Sequence, residues 1–303
     1  MKGWAWASLC ANISIVITGG LVRLTDSGLG CPTWPKCTSA TWTAHRALGI
    51  HGAIEFGNRL LTYVLVAIAV ATLVAVWRSQ ASTPLARTLA IALAIGIPLQ
   101  GVVGGITVLT HLNPWAVSLH LVLSMALISG CVLLIGCFRA EPHPPVRSAA
   151  RRVVTLLALD AVVVVYLGTV VTGSGPHAGD ELARRNGLDP LLLSQLHAGA
   201  VVTLVALTIV ALVLLRGTRI QRTAWTLMGV EIVQAGIGVA QYNLGLPILL
   251  VAAHLAGAGV FVAVTTALVA NVGLIDERVG GGGDKKERQV SVREMEQPHR
   301  LDH

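Results

Sequence analysis

The 303-residue chain is 54% hydrophobic and only 12% charged, with a mean hydropathy of +0.71 and a formal net charge of +7. A soluble globular domain carries roughly 25% charged residues, so this composition excludes one and points to a chain that lives in a lipid bilayer. The basic excess follows the connecting segments and reads as membrane topology, not as a nucleic-acid footprint.

Apolar stretches long enough to cross a bilayer run at about 4–22, 56–77, 88–109, 114–138, 153–172, 191–215, 223–243 and 248–274. They predict an all-α membrane protein with eight transmembrane helices. The first stretch has only Lys2 ahead of it and no Ala-x-Ala site after it, so it reads as a retained span, not a signal peptide. With the N-terminus placed in the cytoplasm, sixteen of the 22 lysines and arginines fall on inner segments. This bias sets both termini inside the cell membrane. Cys31 and Cys37 then lie in the first outer loop, on the oxidising side, where a disulfide persists; a metal site is the alternative. Cys10, Cys131 and Cys137 fall within apolar spans and read as small buried hydrophobes.

Helix two opens with Glu55 and Asn58 near its outer mouth, and His51 stands one turn before Glu55. Helix three carries Gln100 and Gly104, and helix four carries His120. The second half repeats this plan. At an offset of 134, Gln234 matches Gln100, Gly238 matches Gly104 and His254-Leu255 matches His120-Leu121, without a gap. The end of helix five, Thr172-Gly-Ser-Gly, likewise matches Thr25-Asp-Ser-Gly at the end of helix one. The expected organisation is therefore an N-terminal four-helix half (1–138), a cytoplasmic linker (139–152), a C-terminal four-helix half (153–275) and a disordered tail (276–303). Each half has an even number of spans, so the two are parallel repeats about an axis along the membrane normal.

An ionisable group inside a bilayer costs several kcal/mol unless it is paired, ligated or facing a cavity. His120, His197 and His254 are such groups. Each lies six or seven residues past a proline (Pro114, Pro190, Pro247), roughly 10 Å down its helix at 1.5 Å per residue, so the three share one level near the outer leaflet. His197 and His254, on helices six and eight, are flanked by Ala and Gly. Two histidines from facing helices of a bundle, among small residues, suit a haem. Glu55 reads either as a proton donor or positioning group or as the partner of Arg59 at i+4. Arg23 and Arg59 are candidates for haem propionate contacts near the outer surface.

Several stretches resemble the haem A synthase family. The most specific is Gly-Gly-Leu-Val-Arg-Leu-Thr-Asp-Ser-Gly-Leu-Gly-Cys-Pro-Thr-Trp-Pro-Lys-Cys (19–37). Ile-Glu-Phe-Gly-Asn-Arg (54–59), 100–109 and 168–179 add to it, and the likeness extends over about residues 1 to 275. The resemblance implies oxidation of the C8 methyl of haem O to a formyl group, giving haem A for terminal oxidases. It implies a haem b cofactor in the C-terminal half with His197 and His254 as axial ligands. In the N-terminal half it implies a substrate haem with His120 as iron ligand and Glu55 close to the chemistry. Cys31 and Cys37 match the family's first-loop disulfide, and a haem O synthase and an electron donor are the implied partners.

Two positions depart from the pattern. Asn58 stands where many members have a second histidine, which leaves the substrate site with a more open coordination sphere; His51 is the nearby candidate to replace it. Residues 173–190 hold no second cysteine pair. The rival readings are a non-catalytic dihaem electron-transfer cytochrome and a proton-relaying transporter. The transporter is disfavoured because the histidines sit near one leaflet, away from the midplane.

Overall fold

The computed structural model describes residues 1–138, 146–181 and 183–274. Among them are eight long α-helices: α1 (Lys2–Leu24), α2 (Gly49–Trp77), α3 (Pro84–Leu109), α4 (Pro114–Gly136), α5 (Ser148–Ser174), α6 (Pro190–Leu214), α7 (Gln221–Asn243) and α8 (Ile248–Asn271). All eight are long and apolar enough to cross a membrane, and the protein is a multi-pass membrane protein. The predicted spans are all present. Half of the expected linker, 139–145, and the whole of the expected tail lie outside the described residues, whereas α5 already begins at Ser148.

The helix starts are set by local chemistry. The Asn113 side chain accepts from Trp115 N–H and Asp189 Oδ1 accepts from Leu191 N–H, each followed by a proline at the first helical position. A side-chain cap satisfies donors that the helix cannot, and proline lacks the N–H that would be orphaned there. These caps fix where α4 and α6 begin, and hence how deep His120 and His197 lie. α2 starts seven residues before the predicted span. Its first three turns carry His51, Glu55, Asn58 and Arg59, and the loop contacts described below hold His51, Glu55 and Arg59 in place.

Helices α1–α4 contact one another in a closed ring, and α5–α8 do the same. The two rings meet along α4–α8, α1–α8 and α4–α5. The second ring has its own core, built on Val154, Leu157, Leu215, Leu227 and Leu268. The first is built on Val76, Leu93, Ile128 and Leu134, with Leu255 and Val262 of α8 packed against it. Side chains such as Tyr63, Val202 and Leu249 point outward, as expected where lipid, not water, is the surrounding solvent. All interhelical turns described below lie at the end of the bundle that carries the Cys31–Cys37 loop, called here the loop face.

Candidate functional site

The histidine rings are placed by glycines on neighbouring helices. A Cβ built on Gly104 of α3 would stand 3.3 Å from His120 Cε1. One on Gly168 of α5 would stand 3.3 Å from His197 Cε1, and one on Gly238 of α7 3.5 Å from His254 Cε1. At Gly104 and Gly168 an added methyl would press the ring by a few tenths of an ångström, whereas at Gly238 it would meet the ring at ordinary contact distance. Behind two notches, the backbone four residues earlier comes close to the ring: Val164 to His197 and Gln234 to His254. These contacts fall short of satisfying Nδ1, which is buried without a partner in all three histidines. Buried polar atoms are seldom left so. A ring held by packing, with a backbone acceptor poised behind it, is how a metal-ligating imidazole is oriented.

The carbonyls of two of these histidines are gripped identically. Gln100 Nε2 donates to His120 O at 2.8 Å, and Gln234 Nε2 donates to His254 O at 2.9 Å. Ser124 adds a bond in the first ring, receiving Gln100 Nε2 at 2.6 Å and donating to His120 O at 2.9 Å. The twenty-residue glutamine-to-histidine spacing is the sequence trace of this contact. In the second ring His197 and His254 are close enough to interact electrostatically. Two imidazoles this near each other on separate helices, with glycine cradles and orphaned nitrogens, could hold a haem iron between them.

The first ring differs. On α2, Asn58 faces α1: its Oδ1 accepts from Thr18 Oγ1 at 2.7 Å, and its Nδ2 lies 3.8 Å from a Cβ built on Gly19. His51 does not stand in for it. Its Nδ1 pairs with Ser27 Oγ at 2.9 Å, seven residues and so ~10 Å nearer the helix start.

Cys31 and Cys37 are joined in a disulfide. Arg59 is the clamp of that loop. Its Nη1 donates to Thr33 O (2.9 Å) and Lys36 O (3.3 Å), its Nη2 to Cys31 O (2.9 Å) and to Glu55 Oε1, and its Nε to Glu55 Oε1 (3.1 Å). A guanidinium has five N–H donors, and all five are committed. The structure thus supports the ion-pair reading of Glu55 and Arg59 and leaves Arg59 no donor for a propionate. Glu55, 5% exposed, accepts the Cys31 N–H through its other oxygen. The clamped loop lays the Trp34 ring on Gly105 of α3, beside the notch that holds His120. The loop thus packs on α3 next to the candidate site.

Arg23 also binds backbone. Its Nε donates to His177 O at 2.6 Å and its Nη2 to Thr172 O at 2.9 Å, both in the other ring, while Gly28 N–H donates to Gly179 O at 2.9 Å. His177 in turn pairs through Nε2 with Leu246 O. Sequence reasoning missed a further group altogether: Glu231 of α7, 3% exposed, whose Oε1 accepts from Thr208 Oγ1 of α6 at 2.8 Å. A carboxyl in the middle of an apolar span was the available signal.

Residues 2–179 match the profile of the cytochrome oxidase assembly protein family. The chain belongs to that family. The likeness read from the first-loop motif is borne out. Among its relatives, the haem A synthase of Methylobacterium radiotolerans is 27% identical over 59% of this chain and 57% of its own length. That of Rhizobium johnstonii is 25% identical over 85% of the chain and 86% of its own. That of Halalkalibacterium halodurans is 25% identical over 86% and 89%. The chain thus spans little more than half the length of the first relative and most of the other two.

Proposed function

We propose that this protein is a haem A synthase that oxidises the C8 methyl of haem O to the formyl group of haem A in the cell membrane. The observation that carries the reading is the set of three glycine-notched histidines: a facing pair in one ring and a single histidine opposite an asparagine in the other. When bound, haem b supplies one-electron redox chemistry, and the open iron of the substrate haem supplies a site for oxygen activation. His197 and His254 would hold the haem b iron. His120 would hold the iron of haem O, and Asn58, tied to Thr18, offers it no second imidazole. Glu55 orients the capping loop through Arg59 and Cys31, and this places its carboxyl at the mouth of the substrate site, where it holds a proton or positions the reacting methyl. Arg23 keeps free N–H donors and is the remaining candidate for a propionate contact. The two rings serve as repeated halves, with both termini in the cytoplasm, and a haem O synthase and an electron donor are the expected partners.

The test is chemical. Co-expression with a source of haem O, followed by extraction of the bound haems, is expected to yield haem A from the wild type and none from Glu55→Ala. Haem b alone under all conditions would instead mark a non-catalytic cytochrome.

A further inference from the structure

The Thr208–Glu231 pair is not required by the packing of the ring. Setting Asn58 against His197 places Ala69 opposite Thr208, and the Gln100–Gln234 match places Ile97 opposite Glu231. Ala69 and Ile97 are 1% and 3% exposed and pack together with Leu65 in one apolar cluster. The same place in the scaffold is thus filled by aliphatic side chains in one ring and by an acid and a hydroxyl in the other. Thr208 is 0% exposed, and Glu231 Oε2 is buried with no partner. A buried carboxyl with a free oxygen is expensive unless it serves a purpose.

Its position suggests the purpose. Glu231 lies ten residues into α7, ~15 Å from the face opposite the loops. Gln234, one turn nearer the loop face, grips the His254 carbonyl and also keeps a buried, unpartnered Oε1. The other titratable groups on the surrounding helices are few. α6 offers only His197 and α8 only His254. α7 itself adds Arg222, nine residues away, and Tyr242, whereas α5, packed on α6 and α8, adds Arg151, Arg152, Asp160 and Tyr166. No lysine or arginine lies at the level of the carboxyl on any of these helices.

We propose that Glu231 is a proton-binding site coupled to the electron held by the haem of the second ring. The inference rests on the haem b reading above. Were a one-electron donor to reduce the ferric haem that His197 and His254 would hold, one proton taken up from solvent at the face opposite the loops would form an O–H bond to Glu231 Oε2. Ferric haem, carboxylate, electron and proton would thus become ferrous haem and carboxylic acid, and reoxidation would return both electron and proton. Thr208 fixes Oε1 so that Oε2 is the atom that changes. The first ring, with Ala69 and Ile97, has no such group at this level.

The experiment is a redox titration of the full-length protein across pH, followed by the spectrum of the haem that His254→Ala abolishes, together with redox-difference infrared spectra. The wild type is expected to show a midpoint potential that falls as pH rises, and a carboxyl C=O stretching band that changes with reduction. Glu231→Gln is expected to lose both, and Asp160→Asn to keep both. Should Glu231→Gln fail to fold, the double change Thr208→Ala with Glu231→Ile copies the pairing of the first ring and is expected to give the same flat titration. A wild-type potential independent of pH, or a slope that survives in Glu231→Gln, overturns the proposal. A slope that disappears in Asp160→Asn instead also overturns it. Failure of the underlying reading looks different: no haem spectrum depends on His197 and His254 at all.

Discussion

The two four-helix rings share one way of placing a histidine and differ in what they set against it. In the second ring, His254 and His197 stand near each other, each beside a glycine of a neighbouring helix, and Glu231 pairs with Thr208 on the same helices. In the first ring, His120 sits beside a glycine in the same way, but Asn58 is tied to Thr18 and a cross-linked loop packs on α3. On the proposed function, one ring would hold its haem by two imidazoles and the other would leave one side of its haem open. The same scaffold would then serve a holding site and a reacting site by a change of a few side chains and one loop.

The sharpest way to break this comparison is to remove the ligands. His197→Ala and His254→Ala are each expected to empty the second ring of haem, while His120→Ala leaves that haem in place. The haem content and optical spectrum of the purified variants decide it, and a full haem complement in His254→Ala would sink the assignment. Glu55→Ala strands the Arg59 guanidinium among the loop carbonyls. It is expected to lower stability by about 2–3 kcal/mol, on the low side for breaking a buried pair because Arg59 is partly exposed. Thermal unfolding in detergent measures this, and Glu55→Gln should recover part of the loss.

Asn58→His makes the first ring resemble the second. A six-coordinate spectrum for the substrate haem and a fall in haem A yield of about tenfold, equivalent to ~1.4 kcal/mol of barrier, are expected. An unchanged spectrum and yield would contradict the open-site reading. Gly168→Ala pushes a methyl toward His197 Cε1 and is expected to cost about 1–2 kcal/mol and to weaken haem retention. Gly229→Ala, where the added methyl meets nothing within 4 Å, is expected to be neutral or slightly stabilising. Among changes at the histidine sites, the smallest effect belongs to Gln234→Ala. Loss of one hydrogen bond to the His254 carbonyl is worth about 1 kcal/mol, and removing such outer support lowers metal affinity by roughly tenfold.

The sequence made the eight spans legible because length and hydropathy alone decide them in a membrane. The glutamine-to-histidine spacing was legible for a physical reason: one hydrogen bond, repeated in both rings, forces the same separation. The true start of α2 was not, because its first turns are polar and are stabilised by contacts from residues 27–37. The roles of Arg23 and Arg59 were hidden because their acceptors are backbone carbonyls, which carry no signature in the residue string. Glu231 was overlooked because a single acid does not interrupt an apolar span, and its partner Thr208 lies on another helix. The notch glycine Gly168 was equally silent, since a glycine announces neither its neighbour nor its purpose.

Arg23 has one more consequence. The last turn of α1 is fastened, through Thr172 O and His177 O, to the other ring, and Gly28 adds a third bond to Gly179 at the same end. The chain is therefore latched at the loop face, and the α4–α8 seam adds a hydrogen bond toward the far face, from Thr266 Oγ1 to Ser129 Oγ at 3.0 Å. Any rocking of one ring against the other about the latch must break that bond as it opens from the far face. The histidine sites, a few turns below the latch, stay near the fulcrum, where the distance between them changes least.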